Sequence, residues 1–177
     1  MRIGVMSDSH GEIVNVRRAA DQMCALGVEL IVHLGDDYDD ASTLPRDRVS
    51  VIKVPGVFST YYKDPAIPNR LVVRFDGIRV LITHTQESHA KDLPSDLRPE
   101  DLIAGHTIDV VLYGHSHVYD IREEDGIVFV NPGHLKPKDK KGRQPTFAIL
   151  DISGRRMDSW IYDLSGNEVL RHTRVFG

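Results

Sequence analysis

RIGVMSDSHG, residues 2–11, decides how the rest of the chain is read. Arg2–Met6 is short and apolar and runs directly into Ser7-Asp8-Ser9-His10-Gly11. An apolar run of that length, closed by loop-forming residues, reads as a buried strand of a parallel sheet. The residues that follow agree. Ile13, Val16, Ala19, Ala20, Met23 and Leu26 recur at helical spacing, and Gly27 suits a helix stop. Leu30–Leu34 is a second apolar run, broken by Gly35-Asp36-Asp37, and Val49–Val54 is a third, ended by Pro55-Gly56. Strand, helix and strand with short links predict an α/β sheet with right-handed crossovers.

Beyond residue 70 the pattern changes. Arg70–Phe75 and Ile78–Thr83 flank Asp76-Gly77, a strong hairpin signal. Val110–Tyr113 is another short buried strand. Tyr119–Arg122 pairs with Ile127–Val130 across Glu124-Asp125-Gly126, and Thr146–Ile152 with Met157–Leu164 across Ser153-Gly154. Glu168–Val175 adds a last strand. His89–Gly105 is loop-like, with a short helix at Pro99–Ala104 whose first turn accepts Pro99. The expectation is one α/β domain over residues 1–177: two mixed sheets packed as a sandwich, with helices outside.

Composition narrows the function. With 177 residues, 41% hydrophobic and 27% charged, the chain can bury a full core as a soluble globular protein. Its net charge of -4 provides no global positive field, so nucleic acid and anionic membranes are not expected partners. No apolar run approaches the roughly 18 residues of a membrane span, and no signal-peptide core precedes Ser7. A cytoplasmic setting is expected. Cys24 is the one cysteine and reads as a small buried residue, so a metal site here must use His, Asp, Glu or Asn.

Such a set exists. Asp8 and His10 follow the first strand at i, i+2, a spacing that points both side chains the same way on extended backbone. Asp36 follows the second strand, His84 the strand Ile78–Thr83, and His115 and His117 the strand Val110–Tyr113. Ligands in open α/β sheets bind past the C-terminal strand ends. A lone Asp or His there is ordinarily a turn former or cap. Six together, in this order, are not explained by turn chemistry. The remaining polar residues read as structure: His33 as a packed core histidine, His89, His106 and His172 as lacking ligand-like context, Asp37, Asp39 and Asp40 as a charged loop with Asp37 nearest the site, and Lys136–Arg143 as a solvated basic loop.

The motifs SDSHG, LGDD, VIKVPG, THT, YGHSH and NPG together resemble the calcineurin-like metallophosphoesterases. The likeness runs from Arg2 to about Asp151 and is greatest to the small single-domain phosphodiesterases, a group that also includes a scaffold subunit of the retromer coat. It implies two divalent ions, Mn²⁺ first and Fe, Zn²⁺ or Ni²⁺ as compatible alternatives. Asp8, His10 and His117 would hold one ion, His84 and His115 the other, and Asp36 would bridge them. It further implies hydrolysis of a small phosphate ester, a diester in preference to a monoester, by a hydroxide activated between the ions.

The chain departs from that family in one telling place. Where the family carries Gly-Asn, with the Asn binding the second ion, this chain has Gly56-Val57. Phe58 follows, at a position often polar or acidic in the family. Gln86 stands for a second His near the phosphate, and His134 for the usual Ser after Asn-Pro-Gly. Phe58, Gln86 and Asn131 are the expected substrate contacts, with Asp37, Ser59 or Tyr61 able to reach in for the missing amide. The alternative is a non-catalytic metal-binding scaffold or protein-interaction module that has lost a second-metal ligand. Exposed edges of the terminal hairpins would allow a homo-oligomer without requiring one.

Overall fold

A computed structural model describes residues 1–137, 139 and 142–177, so the basic stretch Lys136–Arg143 lies partly outside the described residues. Two sheets face each other. The larger has the order β11-β10-β9-β1-β2-β3 and the smaller β4-β5-β6-β8-β7. In chain order the elements of the parallel part are β1 (Arg2–Met6), α1 (Ile13–Ala25), β2 (Leu30–His33) and β3 (Ser50–Lys53). The smaller sheet is built from β4 (Arg70–Phe75), β5 (Ile78–Thr83), β6 (Val110–Leu112), β7 (Asp120–Glu124) and β8 (Ile127–Asn131), with α2 (Pro99–Ala104) between β5 and β6. β9 (Thr146–Ser153), β10 (Arg156–Asp163) and β11 (Glu168–Val175) return to the larger sheet.

β1, β2 and β3 are parallel, while β9 pairs antiparallel to β1 on its other edge. In the second sheet β5, β6 and β8 are parallel and β4 and β7 antiparallel. The two-residue turn Asp76-Gly77 has φ of 45° and 88°, the left-handed pair that a tight hairpin requires.

The strand residues alternate between two cores. Ile3, Val5, Leu30 and Val32 meet Val80, Ile82, Val110, Leu112, Val128 and Val130 between the sheets. On the outer face, Met6, Ile31, Phe147 and Ile149 pack under Val16, Ala19, Ala20 and Met23 of α1. Each fully buried aliphatic side chain here contributes about 1.5–3 kcal/mol. Gly4 leaves room for Met23, whose Sδ lies 2.5 Å from where a Cβ on Gly4 would stand. α2 covers the outer face of the smaller sheet through Leu102 and Ile103, packed on Leu81, Val111 and Phe129. Helix α1 closes as expected, with Gly27 at φ 78° and its N–H on the Cys24 carbonyl at 3.0 Å. Cys24 is half-buried against the α1 core rather than fully enclosed. Among the described residues no helix is long and apolar enough to cross a membrane.

Candidate metal centre

The ends of β1, β2, β5 and β6 come together at one edge of the sandwich, and short backbone bonds lock the loops that leave them. The Asp8 N–H donates to the Gly35 carbonyl at 2.7 Å, and the Gly114 N–H to the His84 carbonyl at 3.0 Å. The two sheets are then joined at the site itself, where the His115 N–H donates to Asp8 Oδ2 at 2.9 Å. This crossing needs Gly114, because a Cβ there would collide with Ser7 Oγ and stand 2.7 Å from Asp8 Oδ2. Gly56 is pressed likewise against Asp36, whose Oδ1 would lie 2.6 Å from an added Cβ.

The backbone of the candidate ligands is not extended. Asp8, His10, His115 and His117 have φ of 52°, 49°, 67° and 60°. Left-handed conformations are uncommon outside glycine and cost on the order of 1–3 kcal/mol each. The i, i+2 pairs therefore converge by a sharp curl of each loop, not by the pleat of a strand.

Asp8, His10, Asp36 and His117 bring one ligand atom each to within 4.8 Å of one another, a group that can hold a metal ion. His10 Nε2 and His117 Nε2 face each other at 2.9 Å, and His10 Nδ1 is 3.0 Å from Asp36 Oδ2. Beside them His84 Nε2 lies 3.2 Å from His115 Nδ1 and 4.0 Å from Asp36 Oδ1. Asp36 thus turns one oxygen to each imidazole group. His84 Nδ1 sits 2.8 Å from the Leu34 carbonyl, which only accepts. The neutral ring then carries its proton on Nδ1 and leaves the Nε2 lone pair facing Asp36 and His115, an arrangement typical of metal-binding histidine.

The residues fit a cation on a further count. Asp8 Oδ1 is buried with no well-formed hydrogen bond among the described residues; its near neighbour is His117 Nε2 at 3.4 Å, itself in the group of four, and a carboxylate so poorly satisfied is costly unless a positive charge answers it. Burial pushes the Asp8 carboxyl up, but its bond to His117, the nearby His84 and its bond to Ser7 outweigh that and hold it low. His117 is raised by the same bond to Asp8, whereas burial and His84 lower His115. Mixed imidazole and carboxylate donors suit divalent first-row metals.

The other expected residues fall out unevenly. Phe58 is 70% exposed on the lip, its ring 6.4 Å from that of His115 and capped by Lys91 Nζ at 4.2 Å. Gln86 lines a cavity beside His115 and accepts from Arg122 Nη2 at 3.0 Å. Asn131 is fully buried, donates to the Gly114 carbonyl and Ser116 Oγ, and accepts the Gly133 N–H. These bonds prop the His115 loop from behind. Val57 is buried, and neither Ser59 nor Tyr61 replaces the missing amide; Ser59 Oγ accepts the Tyr61 N–H and the Tyr61 hydroxyl donates to Asp39. Asp37 carries no ligand atom into the group of four, and burial and the neighbouring Asp40 and Asp36 raise its carboxyl.

His33 is the packed core histidine expected, wholly buried, and it serves the site: its Nδ1 accepts the Gly35 N–H at 3.3 Å and its Nε2 faces Ser9 Oγ at 3.2 Å. Asp40, read as a loop charge, is buried and accepts the Gly11 N–H at 2.8 Å, tying down the Asp8–Gly11 loop. His89, read as lacking context, lies 6.4 Å from the His115 ring. His134 is buried 5.5 Å from the His117 ring, with neither nitrogen hydrogen-bonded among the described residues. His89 and Asp40 carried no sequence signal; His134 did, as the unusual residue after Asn131-Pro132-Gly133.

A two-sheet sandwich whose four strand ends gather two carboxylates and four imidazoles defines a class of hydrolytic metalloproteins. The chain belongs to the calcineurin-like phosphoesterase superfamily, whose domain model matches residues 1–155. It is 31% identical over 167 residues to a probable metallophosphoesterase of Methanothermobacter thermautotrophicus, covering 91% of each chain. It is 25% identical over 146 residues to a phosphodiesterase of Methanocaldococcus jannaschii, covering 75% of this chain and 83% of that one. In fold it is similar to vacuolar protein sorting 29 of Cryptosporidium parvum, with a TM-score of 0.74 at 18% identity, covering 98% of this chain and 97% of the other. Divalent metals are the cofactors of this family.

Proposed function

We propose that this chain is one metallophosphoesterase domain that hydrolyses a phosphodiester with two divalent ions, Mn²⁺ foremost. Asp8, His10, Asp36 and His117 would hold one ion, and Asp36, His84 and His115 the other. The observation that carries this reading is the placement of Asp36, with Oδ2 3.0 Å from His10 and Oδ1 4.0 Å from His84. When bound, such ions would lower the pKa of a water and offset charge on the phosphoryl oxygens.

The chain's own residues set the geometry. The Leu34 carbonyl fixes the His84 tautomer, and the His115 N–H on Asp8 Oδ2 holds the two halves of the site in register. Three protein donors at the second position leave it open to substrate and water, an ordinary condition for a catalytic metal. Phe58 and Gln86 flank His115, where an ester arm would lie. The preference for a diester is supported by the relative named as a phosphodiesterase.

The test is hydrolysis of bis(p-nitrophenyl) phosphate by Mn²⁺-reconstituted protein, with Asp36→Ala and His115→Ala as variants. Both should lose at least about a hundredfold in kcat/KM, on the scale reported for removing groups that stabilise developing charge. Unchanged rates in either variant refute the assignment. A second reading, a non-catalytic scaffold, draws on the buried Val57 in the turn where the amide is absent and on the fold shared with vacuolar protein sorting 29. Metal-replete protein that turns over no ester would favour it.

A further inference from the structure

Next to His115 the surface opens into a cavity of about 430 Å³, bounded by Gln86, Glu87, His89, Tyr113, Asp120 and Arg122. Its volume suits a small organic group and far exceeds what a phosphate alone fills. The one cation in this wall, Arg122, is largely spent on protein acceptors. Arg122 Nη1 donates to the Tyr113 hydroxyl at 2.7 Å and to Asp120 at 2.9 Å, and Nη2 donates to Gln86 at 3.0 Å. Its Nε is 3.7 Å from Glu124. Most of the guanidinium is thus committed to protein acceptors, with Nη1 fully engaged. One face rests on the Phe129 ring at 4.3 Å, and Phe129 lines a neighbouring cavity instead of this one.

The charge of the wall follows. Asp120 offsets Arg122, and Glu87 adds a carboxylate with no ion-pair partner among the described residues. A second phosphate or a carboxylate entering here would meet the Glu87 carboxylate and an Arg122 already neutralised by Asp120. A flat uncharged group would meet a wall that includes the His89 ring and the packed Tyr113–Arg122 pair, side chains of the kind against which aromatic rings stack.

We propose that this cavity receives the second arm of the diester and that the arm it selects is uncharged and planar, of aryl or nucleoside type. The inference rests on the phosphodiesterase reading above. Specificity comes from the cavity wall, in which Arg122, neutralised by Asp120, shapes the slot while the unpaired Glu87 rejects anions.

The experiment compares two esters that differ in one charge, phenyl p-nitrophenyl phosphate and 4-carboxyphenyl p-nitrophenyl phosphate, with Mn²⁺-loaded protein. The expected result is about a tenfold lower kcat/KM for the carboxyphenyl ester, the size of one like-charge contact at a partly solvated wall. Glu87→Gln and Asp120→Asn should each narrow that ratio without changing the metal content. An independent readout is an NMR titration of Zn²⁺-loaded protein with phenyl phosphate, which should move the side-chain resonances of Gln86, His89 and Arg122. Equal rates for the two esters, a ratio untouched by both variants, or shifts confined to the Phe58 side would overturn the proposal and leave the phosphodiesterase reading standing. No turnover of either ester by metal-replete protein would instead remove that reading, and this inference with it.

Discussion

Lowering the pH from 8 to 5 should cost this fold about 2 kcal/mol through His33 alone. The ring is wholly buried, and burial lowers its pKa from 6.5 to about 4. The nearby carboxylates of Asp40 and Asp8 pull the other way but do not prevail. Its hydrogen bonds give the same sense. Nδ1 accepts from the Gly35 N–H, so a second ring proton would point at another proton. The unfolded chain, with an ordinary histidine, binds that proton from about pH 6.5 downward. The sign is therefore fixed: stability is complete above pH 6.5 and is lost as pH falls toward 4. The assay is urea unfolding of metal-free protein at several pH values, comparing the wild type with His33→Gln, whose amide can still accept from Gly35 and donate to Ser9. The variant will be less stable at pH 8, but it should lose about 2 kcal/mol less on going to pH 5. Parallel stability curves for the two proteins would show that His33 takes up its proton in the fold as readily as out of it, and the argument would be wrong.

Two substitutions probe the site. Gly114→Ala drives a methyl into Ser7 and Asp8 where the sheets cross, an overpacking worth about 1–3 kcal/mol. That should lower Tm by roughly 2–12 °C in a chain of this size and weaken metal binding measured by calorimetry well below Tm, whereas Gly105→Ala, whose nearest neighbour is the Asp101 carbonyl at 3.1 Å, should leave metal binding intact. Val57→Asn should destabilise chelator-treated protein by about 1–3 kcal/mol, the cost of an unpartnered buried amide. With Mn²⁺ added, the loss should shrink and the second ion bind more tightly; the same loss with and without metal would place residue 57 outside the second ion's reach.

Much of this architecture was legible because it depends on local pattern. Short apolar runs ended by Gly, Asp or His marked β1, β2, β5 and β6, and Asp76-Gly77 marked the β4–β5 hairpin. The six candidate ligands followed from the strand ends. What the sequence hid depends on contacts between distant segments. No glycine announced the left-handed turns at Asp8, His10, His115 and His117, because tertiary hydrogen bonds, not propensity, impose them. Asp40 looked like a solvent charge until the Gly11 N–H was found on it. Asn131 carries a motif that suggests substrate, yet β8 aims it inward at Gly114. Arg122 sits 36 positions from Gln86 and 9 from Tyr113, and the strand order β5-β6-β8-β7 gathers them. Of the stretch Lys136–Arg143, Lys138, Lys140 and Lys141 lie outside the described residues.

The place of β1 in its sheet has a consequence for synthesis on the ribosome. It is an interior strand, parallel to β2 on one side and antiparallel to β9 on the other, with Val5 opposite Ala148 and Arg2 opposite Asp151. β2 emerges soon after it, but β9 comes about 140 residues later, a delay of roughly 7–30 s at about 5–20 residues per second. Throughout that interval one edge of β1 lacks its partner, a template for mispairing that a nascent chain must keep from its neighbours. The Asp8–Gly11 loop hangs from this strand, and the Leu135 N–H that holds Asp8 from below arrives just as late. The candidate metal centre is therefore completed only near the close of folding, with its earliest-made ligands waiting for the last sheet strands to dock.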